Sequence, residues 1–159
     1  MILATHILSG AVIGAEIKNP FYIALISIAV HFLLDLLPHG DYLNKKSGFR
    51  DFWKVALDLA IGLGTVYALF FLRDAASTAN LENIAIGIFF SLLPDGTTFL
   101  YWKMGVKFLK PIKKFHEKLH YYPEFSPESE FHLKNNLWDI LISLAAVIIL
   151  LSLRQFPVS

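Results

Sequence analysis

The chain has 159 residues, enough for one domain, and with 55% hydrophobic and 17% charged residues and a mean hydropathy of +0.54 it is more apolar than a soluble domain of that length. A net charge of +1 singles out no partner, and the lack of cysteine excludes disulfides and thiolate metal ligands. Any metal must be held by imidazole and carboxylate.

Hydrophobic stretches fall at about residues 2–17, 20–37, 53–72, 83–101 and 136–153, most of them near the ~20 residues that a helix needs to cross a bilayer. The expected fold is all-α: a single membrane-embedded domain over 1–159 with about five transmembrane helices. The first stretch has no basic segment ahead of it and is interrupted early by His6, so a retained helix is expected there rather than a cleaved signal peptide. Gly10 and Gly14 in this stretch, like Gly62 and Gly64 in the third, suit close helix packing.

The second stretch carries the strongest motif, His31-Phe-Leu-Leu-Asp35-Leu-Leu-Pro38-His39-Gly40-Asp41. A spacing of four places His31 and Asp35 on one helix face, a two-point grip on a cation. Pro38 tends to end the helix, and Gly40 allows a turn that directs His39 and Asp41 back toward the same place. A buried His–Asp hydrogen bond between helices is the alternative reading of the pair. The third stretch brings Asp58 near its start and the fourth Asp95 near its end. Leu92-Leu93-Pro94-Asp95-Gly96-Thr97 also echoes Leu36 to Asp41 at an offset of 56, as two related hairpins facing a shared site would.

Between the fourth and fifth stretches, Phe108, Ile112, Phe115, Leu119 and Tyr122 recur every three or four residues among lysines, which predicts one amphipathic helix in the headgroup plane. Its His116-Glu117-Lys118-Leu119-His120 fits the His-Glu-x-x-His pattern of zinc peptidases. Lys113, Lys114 and Lys118 crowd it, so His116, His120, Lys113 and Lys114 are assigned to substrate contact instead. Nucleic acid is not an expected partner, because lysines flanking membrane spans normally set topology. His132, Glu124, Glu128 and Glu130 follow in a loop and are expected to be solvated. Asp139 opens the last stretch.

With five crossings, Lys45, Lys46, Arg50, Lys54, Lys103, Lys107, Lys110, Lys113, Lys114, Lys118 and Lys134 share one side, against Lys18, Arg73 and Arg154 on the other. The excess puts the N-terminus in the cytoplasm and the C-terminus outside, in the inner membrane of the cell. Trp53, Tyr101, Trp102, Tyr121, Tyr122 and Trp138 fall near the same ends, as an interfacial belt would. Successive helices run in opposite directions, so His6, His31, Asp35, Asp41, Asp58, Asp95 and Asp139 all come within roughly 10 Å of the cytoplasmic boundary at 1.5 Å per residue. Titratable groups in apolar spans usually serve a site, and a common depth argues for a common one.

The early His6, the His31-x-x-x-Asp35 helix closing in Leu-Leu-Pro-His-Gly-Asp, and Leu-Pro-Asp95 resemble the bacterial and archaeal inner-membrane metal-dependent hydrolases, a family of small polytopic proteins. The His-x-x-x-Asp helix is more distantly similar to the zinc-dependent phospholipases C. Members often show Pro-Asp-x-Asp where this chain has Pro38-His39-Gly40-Asp41, and a His-Arg-x-x-Thr-His loop from which the His116 segment departs. The resemblance implies membrane-embedded, metal-assisted hydrolysis.

Imidazole with carboxylate suits zinc or manganese better than magnesium, and the number of candidate ligands allows two ions. The expected function is hydrolysis of a phosphoester in a lipid or lipid-linked substrate at the cytoplasmic face. His6, His31, Asp35, Asp58 and Asp95 would hold metal, while His39 or Asp41 completes the shell or moves protons. Two alternatives stand beside it: a small proton- or cation-coupled transporter, oligomeric if it forms a pore, and a membrane scaffold whose polar residues only fix helix packing.

Overall fold

A computed structural model describes residues 1–43, 47–70, 78–122, 126 and 130–153, with 78–80 as backbone. Lys45, Lys46, Arg73, Glu124, Glu128 and Arg154, used in the topology count and the loop reading, lie outside the described residues. Among the described residues the chain is all-helical: α1 (Leu3–Glu16), α2 (Pro20–Asp35), α3 (Phe52–Phe70), α4 (Thr78–Met104), α5 (Lys110–Leu119) and α6 (Leu137–Ser152). Each expected stretch forms a helix, and α5 is the amphipathic one.

Local chemistry sets the ends. Asn19 caps α2 by accepting from the Phe21 amide at 2.9 Å, with Pro20 at the first helical position, where its missing N–H is not needed. The helix stops at Asp35, two residues short of the hydrophobic stretch, because Pro38 disfavours helical backbone just before it. Pro94 behaves differently and lies inside α4, which runs on for ten residues to Met104. The two Leu-Leu-Pro segments are thus alike in sequence and unlike in conformation, and the hairpin echo does not extend to backbone structure.

Phe49–Phe70 and Leu81–Met104, at 22 and 24 residues, are long and apolar enough to cross a membrane. The other apolar helices, α1, α2 and α6, have 14, 16 and 16 residues and fall short of the expected length. The outer faces of α2 and α6 are nevertheless apolar, with Leu25, Leu33, Leu144 and Ile148 exposed, as are those of α3 and α4 at Ile61 and Phe89.

α1 is the central element, packed against α2, α3, α4 and α6. Its Ile7, Leu8 and Ala11 form the core with Val66, Phe70, Ile84, Ala146 and Leu150. At the α1–α4 crossing the backbones touch: a Cβ on Gly87 would stand 2.1 Å from the Gly10 carbonyl oxygen, and one on Gly14 2.3 Å from that of Asn83. Gly62 likewise faces Ala4 and Ile7, whereas nothing lies within 4 Å of a Cβ on Gly64. Gly64 therefore does not serve the close packing expected of it.

Candidate metal centre

The start of α1 has no side-chain cap of its own, so its first N–H groups need acceptors from elsewhere. Asp58 of α3 accepts from the Leu3 and Ala4 amides at 2.6 and 3.1 Å and from the Tyr42 hydroxyl at 3.1 Å. Asp139 of α6 accepts from the Ile2 amide at 2.9 Å, the Thr5 hydroxyl at 3.1 Å and the Asn136 side-chain amide at 3.0 Å. Two carboxylates at the positive end of a helix are stabilising on electrostatic grounds as well. Asp58, expected as a metal ligand, has its oxygens engaged by α1 and Tyr42 and belongs to neither ligand group below.

The other acids and imidazoles converge beside this cap. One oxygen, Asp35 Oδ2, lies 3.0 Å from His31 Nε2, 2.9 Å from His116 Nε2 and 3.6 Å from His120 Nε2. The imidazoles also face one another, with His31 Nε2 and His120 Nε2 each close to His116 Nε2, at 3.3 and 3.2 Å. Zinc bonds of about 2.0–2.1 Å in a tetrahedron imply ligand–ligand separations of about 3.3 Å. Asp35 Oδ2, His31 Nε2 and His116 Nε2, separated by 3.0, 2.9 and 3.3 Å, therefore have the spacing of a ligand set. Asp95 Oδ1 approaches the same atoms, 3.7 Å from His116 Nε2 and 4.0 Å from His31 Nε2. His31, Asp35, Asp95 and His116 form one group that can hold a metal ion, and Asp35, His39 and His120 a second that shares Asp35.

Protonation follows from the outer contacts. His31 Nδ1 donates to the Ser91 carbonyl at 2.7 Å, and His39 Nδ1 to that of Leu37 at 2.8 Å. In its neutral form each ring therefore presents a bare Nε2. Metal-binding histidines are typically oriented this way, by a carbonyl on the far nitrogen. His116 Nδ1 is held by the Thr98 hydroxyl at 2.9 Å. Burial pushes His120 down to about 4 and lowers His39 too, so both are neutral and able to donate lone pairs at neutral pH. Three imidazole nitrogens around one carboxylate oxygen would otherwise need several protons in a buried space. One divalent cation meets the same requirement with a single charge centre.

His6 stacks on His31, with ring centroids 4.1 Å apart, and its Nε2 is 3.4 Å from Asp35 Oδ1. Neither nitrogen of this buried ring, nor Asp35 Oδ1, has a hydrogen-bond partner among the described residues. Buried polar atoms are rarely left so, and the donors present fit a cation. The Met1 backbone nitrogen lies 3.5 Å from Asp35 Oδ1 and 3.6 Å from Asp41 Oδ1.

His39 Nε2 is 3.2 Å from His120 Nδ1 and 4.0 Å from Asp41 Oδ1. Its loop is pinned by the Asn136 side-chain amide, which donates to the Gly40 carbonyl at 2.9 Å, and by the close approach of Gly40 to the Glu130 carbonyl. α5 turns its exposed Ile112 and Phe115 outward, as the turn before it does Phe108, and its buried His116 inward. The Tyr121 amide ties the following turn to the Asp35 carbonyl at 3.0 Å. His116 and His120, assigned to substrate contact, thus stand in the ligand groups. Lys113 pairs with Glu117, Lys114 is exposed, and neither lines the cavity at the site, so the structure does not bring the two lysines to it. His132 is exposed beside Glu130.

The cavity has a volume of about 520 Å³ and reaches the cluster at Asp95, His116 and His120. Neither this cavity nor the roles of Thr98 and the Ser91 carbonyl are legible in the sequence, because carbonyl contacts and empty space leave no residue pattern. No family model, curated protein or solved structure matches the chain. The class is accordingly defined by what has been described: an all-helical, apolar-surfaced protein with His/Asp clusters able to bind a metal ion.

Proposed function

We propose that this is a multi-pass membrane hydrolase, dependent on zinc or manganese, that cleaves a phosphoester in a lipid or lipid-linked substrate at the cytoplasmic face. The reading is carried by one observation, the meeting of His31, His116 and His120 Nε2 on a single oxygen of Asp35 beside an apolar cavity. Exposed apolar faces on α2 and α6 as well as on the long helices, with α1 enclosed among them, support five membrane-embedded helices, since large exposed apolar areas mark membrane or partner surfaces. The lysine excess favours a cytoplasmic N-terminus and an outward C-terminus. The motifs shared with the inner-membrane metal-dependent hydrolases agree with it.

His31, Asp35, His116 and Asp95 would hold one ion, and His39 and His120 a second through the shared Asp35. A divalent cation supplies Lewis acidity to a phosphoryl oxygen and acidifies water. The chain's own residues do the rest. Ser91, Leu37 and Thr98 fix the ring orientations, and the surrounding helices keep bulk water from the imidazoles. Asp41, part-exposed beside His39, is placed to receive a proton and pass it to solvent. Confinement of the buried titratable groups to one end of the bundle favours hydrolysis over a carrier, which needs them along a path or at the midplane.

A zinc-peptidase reading has one specific support: Glu117, the acid of the His-Glu-x-x-His pattern, lines the cavity. The two readings separate in an assay of detergent-purified, zinc- or manganese-loaded protein against phosphomonoesters, phosphodiesters and unstructured peptides, run with Glu117→Gln beside the parent. We expect phosphoester hydrolysis that a chelator abolishes and that Glu117→Gln largely retains. Peptide cleavage with a loss of about 10²–10⁴ in Glu117→Gln, the contribution of a general base, would replace this reading with the other. No turnover of any of them would remove it.

A further inference from the structure

We propose that the cavity between α3 and α4 is a tail site: it takes one alkyl or isoprenyl chain of the substrate from the side and sets the chain length accepted. This rests on the phosphoester reading above and extends it to the apolar part of the ligand. α3 and α4 both pack on α1 but share no extended interface among the described residues. They meet edge to face at Phe52 and Phe99, with ring centroids 5.4 Å apart. The space left between them is walled by Val55, Leu59, Leu92 and Phe99, and the same cavity is lined by Asp95, His116 and His120 of the ligand groups.

These two helices are also the ones long enough to cross a membrane, so a gap between them opens onto acyl chains rather than onto water. About 520 Å³ is within the ~300–1,000 Å³ of small-ligand pockets. The wall at Val55, Leu59, Leu92 and Phe99 is apolar, while Asp41, Asp95 and Glu117 also line the cavity; an apolar slot beside a cation-binding group fits a single-tailed amphiphile whose anionic head meets the cation.

Gly96 provides the test. It is exposed at the rim of the cavity, and a Cβ there meets nothing within 4 Å, so a larger side chain is accommodated beside the slot without displacing the backbone. Zinc-loaded protein in nanodiscs is titrated with alkylphosphonates of two to eight carbons, against empty nanodiscs, with metal content measured in parallel. Each added methylene should tighten binding by about fourfold in the parent. Gly96→Leu should keep its metal and its affinity for ethylphosphonate but lose the gain from longer chains. Val55→Phe, on the opposite wall, should shorten the accepted chain independently.

Ethylphosphonate binding with no dependence on chain length would overturn the tail site and leave the phosphoester reading standing. A full chain-length gain in both variants would overturn its location. Failure of every phosphonate to bind the zinc-loaded parent would overturn both.

Discussion

Asp35→Ala will lower the affinity for zinc or manganese by more than about 100-fold, because loss of an outer contact alone costs about 10–100-fold and this carboxylate is shared by both ligand groups. Asp35→Asn, which keeps the shape and removes the charge, should lose metal as well. Asp58→Ala is the informative contrast. Asp58 belongs to the α1 cap, so its removal should cost about 1–2 kcal/mol of stability, as for a lost helix cap, with metal affinity unchanged. Chelator competition and thermal unfolding measure the two effects separately. Equal loss of metal in both variants would return Asp58 to the site.

Gly87→Val will destabilise the fold by about 3 kcal/mol or more, at the upper end of what overpacking costs, and lower Tm by roughly 6–12 °C. Removing a glycine from a helix gains up to about 1 kcal/mol in helix propensity, and a β-branched residue gains less. Against that stands a Cβ 2.1 Å from the Gly10 carbonyl oxygen and 3.1 Å from the Gly14 nitrogen, where the obstacle is backbone and cannot rotate away. Gly64→Ala should show the opposite sign, a gain of up to about 1 kcal/mol, because nothing lies near its Cβ. Thermal unfolding of the pair checks the crossing directly. Equal effects at 64 and 87 would mean that α1 and α4 do not meet as described.

The helices were legible from hydrophobic runs because burial and exposure of apolar residues write themselves into composition. Their ends were less so. The same Leu-Leu-Pro triplet follows the end of α2 and lies within α4, and the difference is made by surrounding contacts that no six-residue pattern records. The pairing of His31 with Asp35 was readable from its spacing of four. The identical spacing of His116 and His120 was there to be read too, but neighbouring lysines drew the interpretation toward the surface. Lys114 and Lys118 are exposed while His116 is buried; one helix carries both faces, and lysine count does not say which way the histidines point. Asp58 and Asp139 show the converse limit. A shared depth is a one-dimensional coordinate, and around the bundle the same level holds both a ligand cluster and a helix cap.

X-ray absorption at the metal edge of the purified protein tests the central claim most directly, namely that imidazoles of α2 and the α5 segment share one cation with Asp35. We predict a first-row divalent ion with at least two imidazoles at about 2.0–2.1 Å, and loss of that imidazole signature when His31 and His116 are both replaced by alanine. Metal-free protein after purification and reloading, or an ion whose neighbours are all oxygen, would contradict it.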